Sequence, residues 1–236
     1  VYNLNYAHAF GYDSAYNPNT VRGAAVPYNR DNQRSDSGFS HDGNGNPTAY
    51  GGATFPTGAT FAFDGEDRLT AITSPNASQN MSAAYGADGL RASRTTGALG
   101  KLWFLYDEAG ASQTPLVELT YNSGTSTTTV EAANGFAADG WRMRYYPAGS
   151  NGSNYWVYLF DPQGNAIQKQ GQTNSTYPLY SVTSYDSYGA RSPEVYTGGG
   201  ASPHRDPVGF GGQFGYYTEY ETGPGNSVVG LSLIHI

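Results

Sequence analysis

The feature that most constrains this chain is a repeated local pattern. A run with aromatic residues at alternate positions ends in an acidic turn: His41-Asp42 before Gly45-Asn46, then Phe63-Asp64 before Asp67-Arg68-Leu69. A third copy reads Tyr85-Gly86-Ala87-Asp88-Gly89-Leu90-Arg91. The copies are 22 residues apart (63 − 41, and 85 − 63). A period of that size marks an array of small supersecondary units, none of which buries its apolar face alone.

Looser copies extend along the chain. Tyr12-Asp13 follows an alternation of Tyr2, Leu4, Tyr6, His8 and Phe10, which predicts a half-buried strand from Val1 onward. Tyr28-Asn29 has Asn in the acidic position. Tyr106-Asp107 follows the strand-like Leu102 to Leu105, and Phe136 opens a copy that closely matches the Tyr85 unit. Phe160-Asp161 leads to Gly164-Asn165, and Tyr185-Asp186 leads to Gly189 and Arg191. Ser/Thr/Gly-rich insertions near 123–129 and 149–154 account for the uneven gaps.

One unit has a legible physical logic. An aromatic-ended strand enters Asp-x-x-Gly, where the carboxylate accepts nearby backbone amides and Gly takes a positive φ. A second strand then leaves, which is a hairpin signature. An isolated hairpin is marginal in water, so successive hairpins are expected to pair into one continuous sheet. No apolar stripe of helical period exceeds two turns. The expected fold class is all-β, made of repeated β-hairpins.

Composition narrows what such a sheet can do. Of 236 residues 32 are Gly and 21 Tyr, while charged residues make up 13% and hydrophobic residues 38%. The sheet must therefore bury aromatic faces and strand backbone rather than aliphatic helix stripes. A net charge of −7 argues against a nucleic-acid partner, which needs clustered Lys and Arg. Aromatic content of 14% argues against acidic disorder. Cysteine is absent, so disulfides and thiolate metal sites are excluded. No apolar run approaches the length of a spanning helix, and none is expected. The chain starts at Val1 without a leader and is expected to be a fragment of something longer.

The units resemble the tyrosine–aspartate (YD) repeats of the RHS family, written YDxxGN or YDxxGRL. Phe160-Asp161 with Gly164-Asn165, and Tyr185-Asp186 with Gly189 and Arg191, carry the likeness best; Phe63-Asp64 with Asp67-Arg68-Leu69 is a variant lacking the Gly. A second stretch, DPVGFGGQFGYYTEYETG from Asp206 to Gly223, resembles the start of the RHS repeat-associated core, matching at Asp206, Pro207, Phe210, Gly212, Gln213, Tyr216, Tyr217, Glu221, Thr222 and Gly223. After Gly223 the likeness stops. The expected organisation is a repeat array over 1–203, the start of the core over 204–223, and a truncated or non-native tail over 224–236.

The resemblance implies a spiral β-sheet shell segment. RHS and YD-repeat shells enclose a C-terminal toxic domain in bacterial members; related shells occur in insecticidal Tc toxin complexes and in teneurin adhesion receptors. The implied role is a non-enzymatic fragment of a cage that encapsulates and delivers a polymorphic toxin, secreted or displayed at the cell surface by a bacterial secretion system. Implied partners are the encapsulated toxin domain, with a secretion-system spike or a cell-surface glycan as further candidates. The family's self-cleavage site would lie beyond this chain. The alternative is a cell-surface carbohydrate-binding or adhesion module.

Individual residues favour construction over chemistry. The aromatic–Asp pairs could stack on and bond sugars, but a ligand site rarely needs so many copies, so they read as turn-building residues. Asp42 to Asn46 begins like a calcium loop yet places Pro47 and Ala53 where that loop needs Gly and Glu. His8, His41, His204 and His235 lack ligand spacing. Asp64, Glu66 and Asp67, or Glu219 and Glu221, are sequence neighbours in polar turns rather than carboxylates facing across a cleft. No catalytic residue, cofactor or metal is expected. Gly209, Gly211, Gly212 and Gly215 read as close strand approach or bulges rather than a mobile lid.

Overall fold

The structure is a computed structural model that describes residues 9–21, 23–50, 58–97, 100–107, 114–122, 124–147, 154–173, 176–185, 195–197 and 206–217. The chain divides into two compact units, Val1–Asn76 and Ala77–Ile236. Both are all-β. Among the described residues there is no α-helix, only the 3-10 turns Ala77–Gln79 and Gly212–Phe214.

In the first unit, β1 (Thr20–Val21) and β2 (Ala24–Ala25) form a minimal hairpin. Then β3 (Ser40–His41), β4 (Pro47–Tyr50), β5 (Ala59–Phe63) and β6 (Leu69–Thr73) pair antiparallel, each with the next. Period-two alternation buries Ala59 and Phe61 of β5, while on β6 the buried residues are Leu69 and Ile72, three apart because a register shift lies between them. Before them, residues 10–12 depart from the expected strand. Gly11 makes one isolated bridge to Thr20, and Tyr12 is largely exposed. The Asp13 turn reverses the chain directly after Tyr12, so pairing ends there; residues 1–8 lie outside the described residues.

The second unit is a large open antiparallel sheet. Its strands are β7 (Met81–Tyr85), β8 (Arg91–Thr96), β9 (Gly100–Leu105), β10 (Val117–Asn122) and β11 (Thr127–Ala137). They continue as β12 (Gly140–Tyr146), β13 (Asn154–Phe160), β14 (Ala166–Thr173), β15 (Thr176–Val182) and β16 (Val195–Thr197). Each pairs with its successor, and the order does not return on itself.

Alternation again sorts the two faces. Leu102, Phe104, Trp141, Tyr146, Trp156 and Tyr158 are buried in one cluster with Val208 and Tyr217. Trp103, Leu105, Tyr155, Val157 and Leu159 point the other way and are exposed. Burial of each large side chain contributes roughly 1.5–3 kcal/mol, so the two tryptophans and three tyrosines dominate this core.

A register shift recurs just before the turn. It falls at Ser40/His41, Ala62/Phe63, Ala84/Tyr85, Gly135/Phe136 and Leu159/Phe160. Across the turn His41 then faces Pro47, Phe63 faces Leu69, Tyr85 faces Arg91 and Phe160 faces Ala166. A bulge bends the strand and raises its twist, so these positions curve the sheet in a regular way. The Phe136 copy departs from the others. Phe136 faces Trp141 and Ala137 faces Gly140, a tighter turn than at Tyr85 despite the matching spelling.

Candidate functional site

The turns carry most of the residues singled out from sequence. At Asp13, Asp42, Asp64 and Asp161 the head amide donates to the carbonyl four residues on, and the amide three residues on donates back to the head carbonyl. One carboxylate oxygen accepts the amides two and four residues on. The other oxygen takes the side chain of the closing residue: Asn17, Asn46, Arg68 or Asn165. Asn29 builds the same turn with a carboxamide.

The third position after the head has positive φ throughout: Tyr16, Asn32, Gly45, Asp67 and Gly164. Glycine is therefore sufficient there but not required, and Asn and Asp tolerate that region better than most residues. At Gly86 the head side chain is missing. Asp88 supplies the carboxylate instead, accepting the Leu90 amide at 2.9 Å, and occupies the space a Cβ on Gly86 would need.

Hydrogen bonding holds the Asp13 and Asp42 carboxyls below their ordinary pKa, with the Asn17 and Asn46 side chains as the largest causes. Adjacent turns are laced together. Asn44 and Asn46 donate to Asp67 at 2.9 and 2.7 Å, and Asn17 donates to Asn32 at 2.9 Å. The head carboxylates serve neighbouring backbone amides, which suits construction.

The second unit holds a different arrangement on the buried face of its sheet. Glu118 of β10 and Arg144 of β12 are fully buried and paired by two hydrogen bonds, Nη1–Oε1 at 2.5 Å and Nη2–Oε2 at 2.9 Å. Arg144 also donates to Asn134 Oδ1 and to the Tyr146 hydroxyl, each at 3.0 Å. Asn134 in turn donates to Pro115 O at 2.8 Å. Burial is the largest single influence and would lower the Arg144 pKa, but the Glu118 carboxylate with its hydrogen bond, together with nearby Tyr146 and Tyr158, holds the guanidinium well above its ordinary value.

Residues 206–217 lie over this face as a compact loop. Its ends meet in a bridge between Val208 and Tyr217, and a 3-10 turn at Gly212–Phe214 fills the middle. Asp206 enters next to β13 and β14. Its Oδ1 accepts the Tyr158 hydroxyl at 2.9 Å and the Val208 amide at 3.0 Å. Its Oδ2 lies 2.7 Å from Lys169 Nζ, an ion pair by distance without hydrogen-bond alignment. Burial, followed by the nearby Asp206 charge, raises the Tyr158 pKa well above the ordinary phenol value, so the hydroxyl stays protonated and donates.

At the loop's other end Tyr217 donates to Glu118 Oε2 at 3.0 Å and packs edge-on against Phe104. Between the ends, the Ala166 amide donates to Gly209 O and the Gln213 amide to Gly164 O. The Gly211 amide donates to Asn165 Oδ1 at 2.8 Å, and Gln213 Nε2 to Asp139 O at 2.9 Å. The loop therefore sits on the hairpin ends at 139–140 and 164–165. A Cβ on Gly140 would strike the Gln213 carbonyl, and one on Gly164 the Phe214 ring. Glycine at 164 meets two demands at once, positive φ and close approach.

The remaining residues singled out from sequence fall as follows. Phe63 and Tyr85 are half-buried at strand ends. Tyr106, Phe136 and Phe160 pack against the core, and the Tyr106 hydroxyl donates to Arg91 O at 3.0 Å. Asp107 is exposed, and the residues after it lie outside the described ones. Tyr185 packs its ring 6.0 Å from that of Phe210. Pro207 is fully buried, and Gly212 and Tyr216 belong to the loop. Asp186, Glu221, Thr222 and Gly223 lie outside the described residues.

Glu118, Asn134, Arg144, Tyr146, Tyr158 and Lys169 were not singled out from sequence. Alternation gave no signal for the charges: Trp141 and Arg144, like Ala166 and Lys169, share the buried face although three residues apart, because a register shift lies between them. Among the described residues, no group of three or more His, Cys, Asp or Glu side chains converges as a metal site would need.

No protein-family model matches the chain, and no curated protein matches it. Among solved structures it aligns with part of a chain in the one titled "Crystal Structure of TcdB2-TccC3-Cdc42", at a TM-score of 0.26 and 9% identity. The alignment covers 82% of this chain and 15% of that one. Overlap at that score carries no argument for fold or function.

Proposed function

We propose that this chain is a segment of an RHS-type shell built of YD repeats, which encapsulates and delivers a C-terminal toxin. The observation that supports it is the recurrence of one bulge-and-turn unit in register with the spelling, at heads 22 residues apart (64 − 42, and 86 − 64). A turn with identical backbone bonding at each recurrence is what an array of interchangeable hairpins requires. On this reading the shell does no chemistry. It keeps a cargo away from solvent and proteases until delivery, and it is exported by a bacterial secretion system to act outside the producing cell.

The test is made on the complete gene product that contains this segment. Limited proteolysis of the intact protein should leave any domain beyond the shell uncut under conditions that digest the same domain expressed alone. Equal cleavage in both forms would remove the encapsulation reading.

A cell-surface carbohydrate-binding reading is the second candidate, supported by the exposed aromatics Trp103, Tyr121 and Tyr155. Glycan-array binding abolished by Tyr155→Ala would put it first.

A further inference from the structure

We propose that residues 206–217 form a latch that can leave the sheet while the sheet stays folded, and that the Lys169–Asp206 contact governs whether it is seated. The loop is closed on itself by the Val208–Tyr217 bridge and by its internal bonds from Gly212 N to Gly209 O, Phe214 N to Gly211 O and Gly215 N to Gly212 O. A loop with joined ends and its own bonding docks and departs as one body.

The two buried carboxylates divide the work. Glu118 and Arg144 both belong to the sheet, so their pair is complete before the loop arrives, with Asn134 and Tyr146 already oriented around it. Asp206 belongs to the loop, and the contact with Lys169 spans loop and sheet. Removing the charge of one partner in a buried pair leaves the other uncompensated, and the system relieves that by letting water in. Tyr217 of the loop also covers Glu118, but the charge partner Arg144 belongs to the sheet, so lifting the loop leaves that pair intact. Lifting it parts Asp206 from Lys169. Departure would expose Lys169, Tyr158 and the Glu118–Arg144 pair as one polar strip.

This inference concerns the intact chain and does not depend on what the shell carries. Native-state hydrogen exchange of the whole chain across low denaturant reads it directly. The Gly211, Gln213 and Ala166 amides, all bonded in the loop–sheet seam, should open at lower free energy and with weaker denaturant dependence than amides of β11 to β13. Asp206→Asn keeps an acceptor for Tyr158 and Val208 and removes only charge; it should speed the seam amides about tenfold or more while β11 to β13 change less than about twofold. Lys169→Gln should do the same, and the double variant should add little to either. Seam and sheet amides opening together, in the native chain or by one common factor in the variants, would overturn the latch.

Discussion

Asp42 shows how much a single exposed carboxylate does in these turns. It accepts the Asn44 and Asn46 amides and the Asn46 side chain, and those bonds favour its ionised form. A carboxyl whose pKa is lower folded than unfolded contributes fully above the unfolded value and loses that contribution as pH falls through the folded one. Protection of the Asn44 and Asn46 amides should therefore fall as pH drops from about 5 to about 2. Asp42→Asn should keep the turn and abolish the pH dependence, because Asn29 already builds the same turn with an amide oxygen. Amide exchange by NMR across that range checks both; a native turn indifferent to acid would refute the role given to the carboxylate. The closing residues differ in what else they hold. Asn46 faces a neighbouring exposed turn, whereas buried Asn165 also anchors the loop through Gly211.

Strand pairs respond to glycine substitution according to what faces them. Gly171 of β14 lies opposite Trp156, and a Cβ there would run into the buried indole. Gly135 of β11 lies opposite Met143, whose flexible side chain is partly exposed and can move aside. Gly171→Ala should cost about 1–3 kcal/mol, the usual range for overpacking. Gly135→Ala should cost well under about 1 kcal/mol or stabilise slightly. Urea denaturation of the two variants decides between steric and purely conformational effects; equal costs would show that the indole gives way. Elements also mark where spelling misleads. The Tyr85 and Phe136 copies read almost alike, yet one closes a five-residue turn and the other a two-residue one. The Phe136 hairpin end lies under Gln213, which bonds to Asp139 O and occupies the space beyond Gly140.

Over the second unit as a body, the usual sorting of polar and apolar side chains is partly reversed. The covered face holds Glu118, Arg144 and Lys169 beside its aromatics, while the open face shows Leu105, Met143, Tyr155, Val157, Leu159 and Val182. Exposed apolar side chains gathered on one face, such as Met143 beside Val157, promote association. Charges placed centrally, as Val157→Lys with Leu159→Glu, should reduce self-association at high concentration without altering the strand content. Light scattering with far-ultraviolet circular dichroism checks this. Unchanged association would move its cause to the strand edges, where unpaired backbone offers a second route.

The all-β class and the acidic turns at Asp13, Asp42, Asp64 and Asp161 were determined by sequence alone, since alternation and turn bonding are local. The register shift before each aromatic was not legible, because a bulge depends on which partner residue the strand meets. The loop at 206–217 was legible as a distinct stretch, but its seat was not. That seat joins Glu118, Arg144, Tyr158, Lys169 and Asp206, residues up to 88 positions apart (206 − 118). Only the assembled sheet brings them within bonding distance. Sequence spacing says which face a side chain takes only up to a bulge; the face beyond it, and the distant charge met there, are decided by pairing order and by the chain folding back across the face.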